Sequence, residues 1–99
     1  MVKIVWTELS LFDLKDIFDY IADNSQRYAT IMTNKIHQRV QVIAENPYTG
    51  KIVDEFNNKS IREVIEGKYR IIYSIKTNSQ VDILRIYHSA RLLKRNKID

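Results

Sequence analysis

The sequence contains no cysteine, one proline and two glycines among 99 residues. Without cysteine the chain forms neither a disulfide framework nor a thiolate metal site, so packing alone must hold the fold together. The scarcity of glycine and proline excludes collagen-like chains and disordered chains rich in these residues. No apolar run approaches the ~18 residues of a membrane-spanning helix, and the apolar flank from Val2 to Trp6 is too short for a signal peptide. We therefore expect a cytoplasmic protein without a membrane partner.

Size, composition and charge predict one globular domain over residues 1–99. Hydrophobic residues make up 44% of the chain, and 16 Lys and Arg against 12 Asp and Glu give a formal net charge of +4. This charge favours contact with nucleic acid, the ribosome or an acidic protein, although it also serves simple solubility. From residue 91 onward we expect a short helix or a basic C-terminal tail (91–99). Only Asp82 and Asp99 oppose the late basic residues, which are Arg85, Arg91, Lys94, Arg95 and Lys97.

The first half of the chain predicts a strand followed by two helices. The β-branched run from Val2 to Trp6 is typical of a strand, and Thr7 is a suitable N-cap for a helix over residues 8–23. Ser25 is a second candidate N-cap, and Asn46-Pro47 ends the helical pattern. Because the connection is short, the two helices should lie antiparallel. Their apolar stripes contain Leu14, Ile17, Phe18 and Ile21, then Ala29, Met32, Ile36, Val40 and Ile43.

The second half predicts an antiparallel sheet. After a turn-rich loop and a short Ile52-Val53 run, three segments are typical of strands: Ile61 to Glu66, Tyr69 to Lys76 and Val81 to His88. The short connections between these segments require antiparallel neighbours. The expected fold class is α+β in the order β-α-α-β-β-β, with the helical hairpin packed on one face of the sheet. Alternation alone does not decide which face the helices cover.

No sequence motif indicates a reaction by itself. A Gly-rich phosphate loop, an HExxH helix and a GxSxG elbow are all absent, so we expect no cofactor and no metal. A three-residue hairpin loop at 78–80 would set Arg70 directly opposite His88 on one sheet face. A guanidinium can stabilise a pentacovalent phosphate and an imidazole can transfer protons near neutral pH, so the pair is a candidate site for phosphodiester cleavage. The alternative is that Arg70 pairs with Glu63 on the preceding strand.

Further basic and aromatic residues are candidates for contacts with a target or partner: Arg62, Arg85, Tyr87, Arg91 and Lys94. Tyrosine can stack on an RNA base and arginine can contact phosphates, yet each residue type is also common on a half-buried strand. The other aromatic residues have structural interpretations. Tyr69 and Tyr73 should fill the sheet, Tyr20 and Tyr28 should pack within the helical hairpin, Trp6 should anchor the core, and His37 should lie at the surface of the second helix.

A series of short motifs extends along the chain from about residue 2 to residue 91. The motifs are Ile4-Val5-Trp6-Thr7, Asp13-Leu14 with Ile17 and Tyr20-Ile21, then Ala29, Ile36 and Ile43, then Asn46-Pro47-x-x-Gly50, Ile61-Arg62-Glu63, Tyr69-Arg70-Ile71-Ile72-Tyr73, and Ile83-Leu84-Arg85-Ile86-Tyr87-His88 with Arg91. In their order and spacing they resemble the RelE/ParE toxin superfamily. The resemblance implies a β-α-α-β-β-β fold, a cytoplasmic type II toxin-antitoxin module, and a cognate antitoxin that binds and neutralises the toxin in a hetero-oligomer.

The resemblance implies two alternative targets. ParE-like members inhibit DNA gyrase, whereas RelE-like members cut mRNA in the ribosomal A site, and the shared fold does not decide between them. The Asn-Pro-x-x-Gly loop and the late His-x-x-Arg are similar to ParE-like sequences, while Arg70 and His88 match positions of an arginine and a histidine in some RNA-cleaving relatives. We favour gyrase over a metal-independent ribonuclease; a degenerate toxin that only binds its antitoxin is a third hypothesis. The basic cluster expected of ribosome-dependent members is thin, with Lys51, Lys59 and Arg62 diluted by Asp54, Glu55 and Glu63.

Overall fold

The chain forms two helices and a five-stranded sheet in a computed structural model that describes residues 1–89. Residues 90–99, with Arg91, Lys94 and the predicted basic tail, lie outside the described residues. The elements are β1 (Lys3–Trp6), α1 (Glu8–Ala22), α2 (Gln26–Glu45), β2 (Lys51–Ile52), β3 (Ile61–Glu66), β4 (Tyr69–Thr77) and β5 (Gln80–His88), with single 3-10 turns at Pro47–Thr49 and Asp54–Phe56.

The strands are ordered β1-β5-β4-β3-β2 in the sheet. The predicted α+β class and element order are confirmed, and the structure adds a short strand, β2, at the beginning of the Ile52-Val53 run. Strands β2 to β5 are antiparallel, as predicted from their short connections. Strand β1 departs from the predicted antiparallel arrangement, because it runs parallel to β5. The helical hairpin carries the chain away from β1, so this strand is free to pair with the last strand in either direction.

Side-chain caps explain where both helices begin. The Thr7 hydroxyl accepts a hydrogen bond from the Ser10 backbone N–H at 3.1 Å, and the Ser25 hydroxyl accepts one from the Tyr28 N–H at 3.0 Å. Both N-cap predictions are therefore confirmed. Helix α2 ends at Glu45 because Pro47 follows, and Pro47 then begins a 3-10 turn.

The helices cover the sheet face that contains Ile71 and Tyr73. The opposite face contains Ile72 and Tyr87, which form a smaller apolar cluster with Val53 and are covered by the segment between β2 and β3. Both faces of the sheet are therefore partly covered by apolar side chains. The main core consists of Ile17, Met32, Ile36, Val40 and Ile43 from the helices and Val64, Ile71, Tyr73, Val81, Ile83 and Ile86 from the sheet.

The aromatic residues divide between the core and the surface. Tyr73 is fully buried as predicted, and Trp6 packs against the core with its ring 5.2 Å from that of the exposed His37. The prediction that Tyr20 and Tyr28 pack within the hairpin was wrong, because they are 76% and 51% exposed. They lie on the flank of their helices rather than on the buried stripe. Neither helix in residues 1–89 is long and apolar enough to cross a membrane.

Candidate functional site

The β4–β5 register separates the two residues that we predicted as a catalytic pair. Arg70 lies opposite Tyr87, and His88 lies opposite Tyr69. The predicted opposition of Arg70 and His88 was wrong, because Thr77 pairs with Gln80 and the loop contains two residues rather than three. A shift of one residue moves a side chain to the other sheet face. Arg70 therefore shares a face with Ile72, whereas His88 lies on the helix side.

Arg70 is held by carboxylates on the face away from the helices. Its Nε and Nη2 atoms each donate a 2.8 Å hydrogen bond to an oxygen of Glu63, and Nη2 lies 3.7 Å from Glu55 Oε2. Glu63 is only 6% exposed. The hydrogen bond to Glu63 is the main cause that raises the pKa of the Arg70 guanidinium. The alternative interpretation of Arg70, a pair with Glu63, is confirmed.

His88 lines a groove between the helical hairpin and the end of the sheet. Its ring meets the Tyr69 ring edge-on with 5.7 Å between centroids. Burial is the main cause that raises the pKa of the Tyr69 hydroxyl. The groove has a volume of ≈ 710 Å³ and combines apolar, aromatic and charged side chains, a composition typical of binding sites. Its lining includes Ile17, Tyr20, Tyr28, Met32, Lys68 and His88.

Arg85 forms an ion pair with Asp13 that joins α1 to β5. Arg85 donates from Nε and Nη2 to the two Asp13 oxygens at 2.7 and 2.9 Å, and the Ile86 backbone N–H donates to Asp13 at 2.9 Å. The hydrogen bond to Asp13 is the main cause that raises the pKa of Arg85. The guanidinium also lies 4.9 Å from the centre of the Tyr87 ring.

Asp13 completes a sheet edge that β1 leaves open. Strand β1 ends at Trp6, so the side of β5 that faces β1 has no strand neighbour beyond Ile83, while β4 pairs with the other side. The Thr7 hydroxyl donates to the Ile83 carbonyl at 2.7 Å, and Asp13 accepts from Ile86 further along the same edge. The amphipathic pattern of α1 did not indicate this role for Asp13. The available signal was its position four residues before the buried Ile17, on the apolar stripe.

Arg62 lies elsewhere, at the loop that follows α2. Its Nη1 donates to the Gly50 carbonyl at 2.9 Å, and its guanidinium lies 5.0 Å from the centre of the Tyr48 ring. The Tyr73 hydroxyl donates to the Pro47 carbonyl at 2.6 Å and accepts from the Gly50 N–H at 2.9 Å. Burial is the main cause that raises the pKa of this hydroxyl. Tyr73 and Arg62 together fasten the Asn-Pro-x-x-Gly loop to the sheet.

The residues predicted to contact a target do not form one surface within residues 1–89. Arg62 lies beside the 46–50 loop, Arg85 is paired with Asp13, and Tyr87 is 5% exposed in the smaller apolar cluster. That these side chains contact a target remains a prediction. In the part of the chain that the structure describes, no group of three or more His, Asp or Glu is placed to hold a metal ion.

Comparison with known proteins places the chain among bacterial toxins. Residues 4–93 match the family model described as ParE toxin of type II toxin-antitoxin system, parDE. The chain is 32% identical over 92 residues to Toxin RelE2 of Caulobacter vibrioides, covering 93% of this chain and 100% of that protein. It also resembles a solved chain of the chromosomal ParDE TA system from P. aeruginosa, with a TM-score of 0.71, 20% identity, and coverage of 89% of this chain and 96% of that chain. This last likeness shows the fold.

Proposed function

The chain belongs to the ParE toxin family of type II toxin-antitoxin systems, and from this premise we propose that it inhibits DNA gyrase by protein contact and is neutralised by a cognate antitoxin. Inhibition by contact needs a complementary surface and no reacting groups. The family match over residues 4–93 supports the toxin role, and the geometry of the former catalytic candidates supports inhibition without RNA cleavage.

The separation of Arg70 from His88 carries this proposal. A metal-independent nuclease needs a phosphate-stabilising group and a proton-transfer group within hydrogen-bond reach of the same phosphodiester. Here Arg70 is bound to Glu63 on one sheet face, while His88 lies at the groove on the other. The Glu63 carboxylate offsets the positive charge with which Arg70 would stabilise a phosphate, and release of Glu63 would leave a buried carboxylate without its cation.

Two assays run side by side test the proposal. Purified toxin should inhibit the supercoiling of relaxed plasmid by DNA gyrase and should leave mRNA intact on programmed ribosomes. The variant His88→Ala, at an exposed position, should inhibit gyrase as the unsubstituted protein does. Codon-dependent mRNA cleavage with gyrase unaffected would overturn the proposal, and loss of that cleavage in His88→Ala would identify the imidazole as a proton-transfer group.

The groove is the surface that we propose for the antitoxin. Its exposed tyrosines offer large aromatic area beside the apolar side chains of Ile17 and Met32, which suits the apolar face of an amphipathic segment. Substitution of Tyr20 by Ala should weaken antitoxin binding, whereas Leu11→Ala, on α1 but outside the groove lining, should not. If the two variants bind the antitoxin with equal affinity, the antitoxin site lies outside the groove. Charge reversal at Arg85 is a poor test of this surface because it would also break the ion pair with Asp13.

A ribosome-dependent ribonuclease is the second candidate. It is favoured by the 32% identity to a protein named Toxin RelE2, and by the presence of both an arginine and a histidine in the last two strands. A degenerate toxin that only binds its antitoxin is the third candidate. Expression without antitoxin tests it directly, because an active toxin should arrest growth and a degenerate one should not.

A further inference from the structure

The groove between the helical hairpin and the end of the sheet carries opposite charges on its two sides. Asp16 on α1 and Lys68 in the turn between β3 and β4 both line the groove, and both residues are exposed. Neither of them forms an ion pair within residues 1–89. The neighbouring cation Lys15 donates a 2.6 Å hydrogen bond to Asp19 instead of Asp16. The groove therefore presents one carboxylate and one ammonium group to the molecule that binds in it.

Contacts within the fold fix the position of both charged sides. On the helix side, the Ile86 backbone N–H donates to Asp13 at 2.9 Å, and Asp16 follows Asp13 by three residues on the same side of α1. On the sheet side, the Ser89 backbone N–H donates to the Lys68 carbonyl at 2.6 Å. Because the two sides need little ordering when a partner binds, the positions of their charges can discriminate between partners.

The rest of the groove lining is largely apolar and aromatic. Ile17 and Met32 are buried members of the lining, whereas Tyr20 is exposed. Tyr20 follows Asp16 by four residues, so the ring and the carboxylate are neighbours on the surface of α1. A tyrosine ring beside a carboxylate suits an arginine or a lysine, because the aliphatic part of the side chain packs on the ring while its charged end meets the carboxylate.

We propose that the antitoxin segment in this groove carries a basic residue for Asp16 and an acidic residue for Lys68, with apolar residues between them. This inference rests on the proposed role of the groove as the antitoxin site. The basic side chain packs on Tyr20 and pairs with Asp16, while the acidic side chain pairs with Lys68. A segment with the reverse order of charges would bring like charges together, which is strongly unfavourable at an interface. The two charges thus determine which antitoxin the toxin accepts and in which direction its segment lies.

Exchange of the two charges tests this inference at constant net charge. Titration calorimetry with the full-length antitoxin of the same module measures the affinity. Asp16→Lys and Lys68→Asp should each weaken binding about tenfold, and the double variant about a hundredfold or more, as expected for close charge pairs at an interface. A nonspecific attraction would strengthen binding in one single variant and weaken it in the other, and the double variant would bind like the unsubstituted toxin. That second pattern would overturn the inference.

A matched charge exchange outside the groove provides the control. Lys15→Asp combined with Asp19→Lys keeps the net charge and reverses an exposed ion pair on the same helix, and neither residue lines the groove. This double variant should bind the antitoxin like the unsubstituted toxin. Both double variants should keep the thermal midpoint of the unsubstituted toxin, because all four residues are exposed. An equal loss of affinity in the two double variants would overturn the inference.

The variant Tyr20→Ala separates failure of the inference from failure of the proposed antitoxin site. If Tyr20→Ala weakens antitoxin binding but the exchange of Asp16 and Lys68 does not, the groove is still the antitoxin site and only the inference fails. If Tyr20→Ala leaves binding unchanged, the antitoxin lies elsewhere, and the proposed site fails together with the inference. Reversal of one basic residue of the antitoxin to glutamate should restore binding to Asp16→Lys and thereby identify the partner of Asp16.

Discussion

Replacing Asp13 by alanine tests whether the ion pair with Arg85 holds α1 against the last strand. Asp13 is 8% exposed and accepts three hydrogen bonds, two from Arg85 and one from the Ile86 backbone N–H. The substitution removes all three acceptor contacts. It leaves a mostly buried guanidinium without its counter-charge and a buried backbone donor without a partner.

The expected loss is about 3 kcal/mol of unfolding free energy, the lower end for breaking a buried ion pair, because the Arg85 side chain keeps 15% of its exposure. For a domain whose total stability is about 5–15 kcal/mol, this is a large fraction. It corresponds to a fall in thermal midpoint of about 12–24 °C. Asp13→Asn should lose less, since its amide oxygen can still accept from Ile86.

Urea unfolding followed by circular dichroism measures this loss. Asp16→Ala is the matched control, since it removes an exposed carboxylate from the same helix and should stay within about 0.5 kcal/mol of the unsubstituted protein. Equal unfolding midpoints for Asp13→Ala and Asp16→Ala would refute the structural role of the ion pair. A double substitution of Asp13 and Arg85 by leucine should recover much of the lost stability, because no buried charge then remains unpaired.

Three further perturbations test the loop anchor and the second ion pair. Gly50→Ala should destabilise the domain by about 1–3 kcal/mol in urea unfolding, since its new Cβ would lie 2.5 Å from the Tyr73 hydroxyl; an unchanged midpoint would mean that the loop shifts freely. Burial raises the pKa of the Tyr73 hydroxyl above 10.0, so the stability from its protonated form is complete below about pH 10 and is lost as pH rises through the folded pKa. Urea midpoints across this pH range should therefore fall less in Tyr73→Phe than in the unsubstituted protein. An equal fall in both proteins would show that ionisation of Tyr73 does not cause the loss. Arg70→Ala should lower the free energy of unfolding by about 3 kcal/mol, because Glu63 stays buried without its cation. The comparison variant is Glu63→Gln, which keeps Arg70. If Arg70→Ala loses less stability than Glu63→Gln, then Glu63 takes up a proton or moves to solvent when its cation is removed.

Local signals explain why the elements were predictable. The N-caps Thr7 and Ser25 contact N–H groups three residues away, and Pro47 stops α2 by its own geometry. These interactions lie within a few residues of chain, so periodicity and capping chemistry predict them. The segment from Ile61 to Glu66 was predicted with the observed bounds for the same reason.

Distant pairings explain why the site was not predictable. The β4–β5 register depends on a loop of two residues and on irregularities near Tyr73 and Thr77, and an error of one residue exchanges the sheet faces. The partner of Asp13 lies 72 residues further along the chain. No periodic pattern links these two positions, so the sequence of α1 did not reveal that Asp13 has a partner on β5.

The arginines of residues 1–89 differ in whether an internal carboxylate neutralises them. Arg70 and Arg85 were predicted as site residues because they lie on the last two strands, yet each is bound to a buried carboxylate and contributes to the fold. Arg39 was not predicted as a site residue, because it lies in a helix rich in polar residues. Neither Arg39 nor Arg62 has an acidic partner in residues 1–89. What makes an arginine available to a partner is the absence of an internal carboxylate, and the fold decides this through contacts that net charge does not reveal.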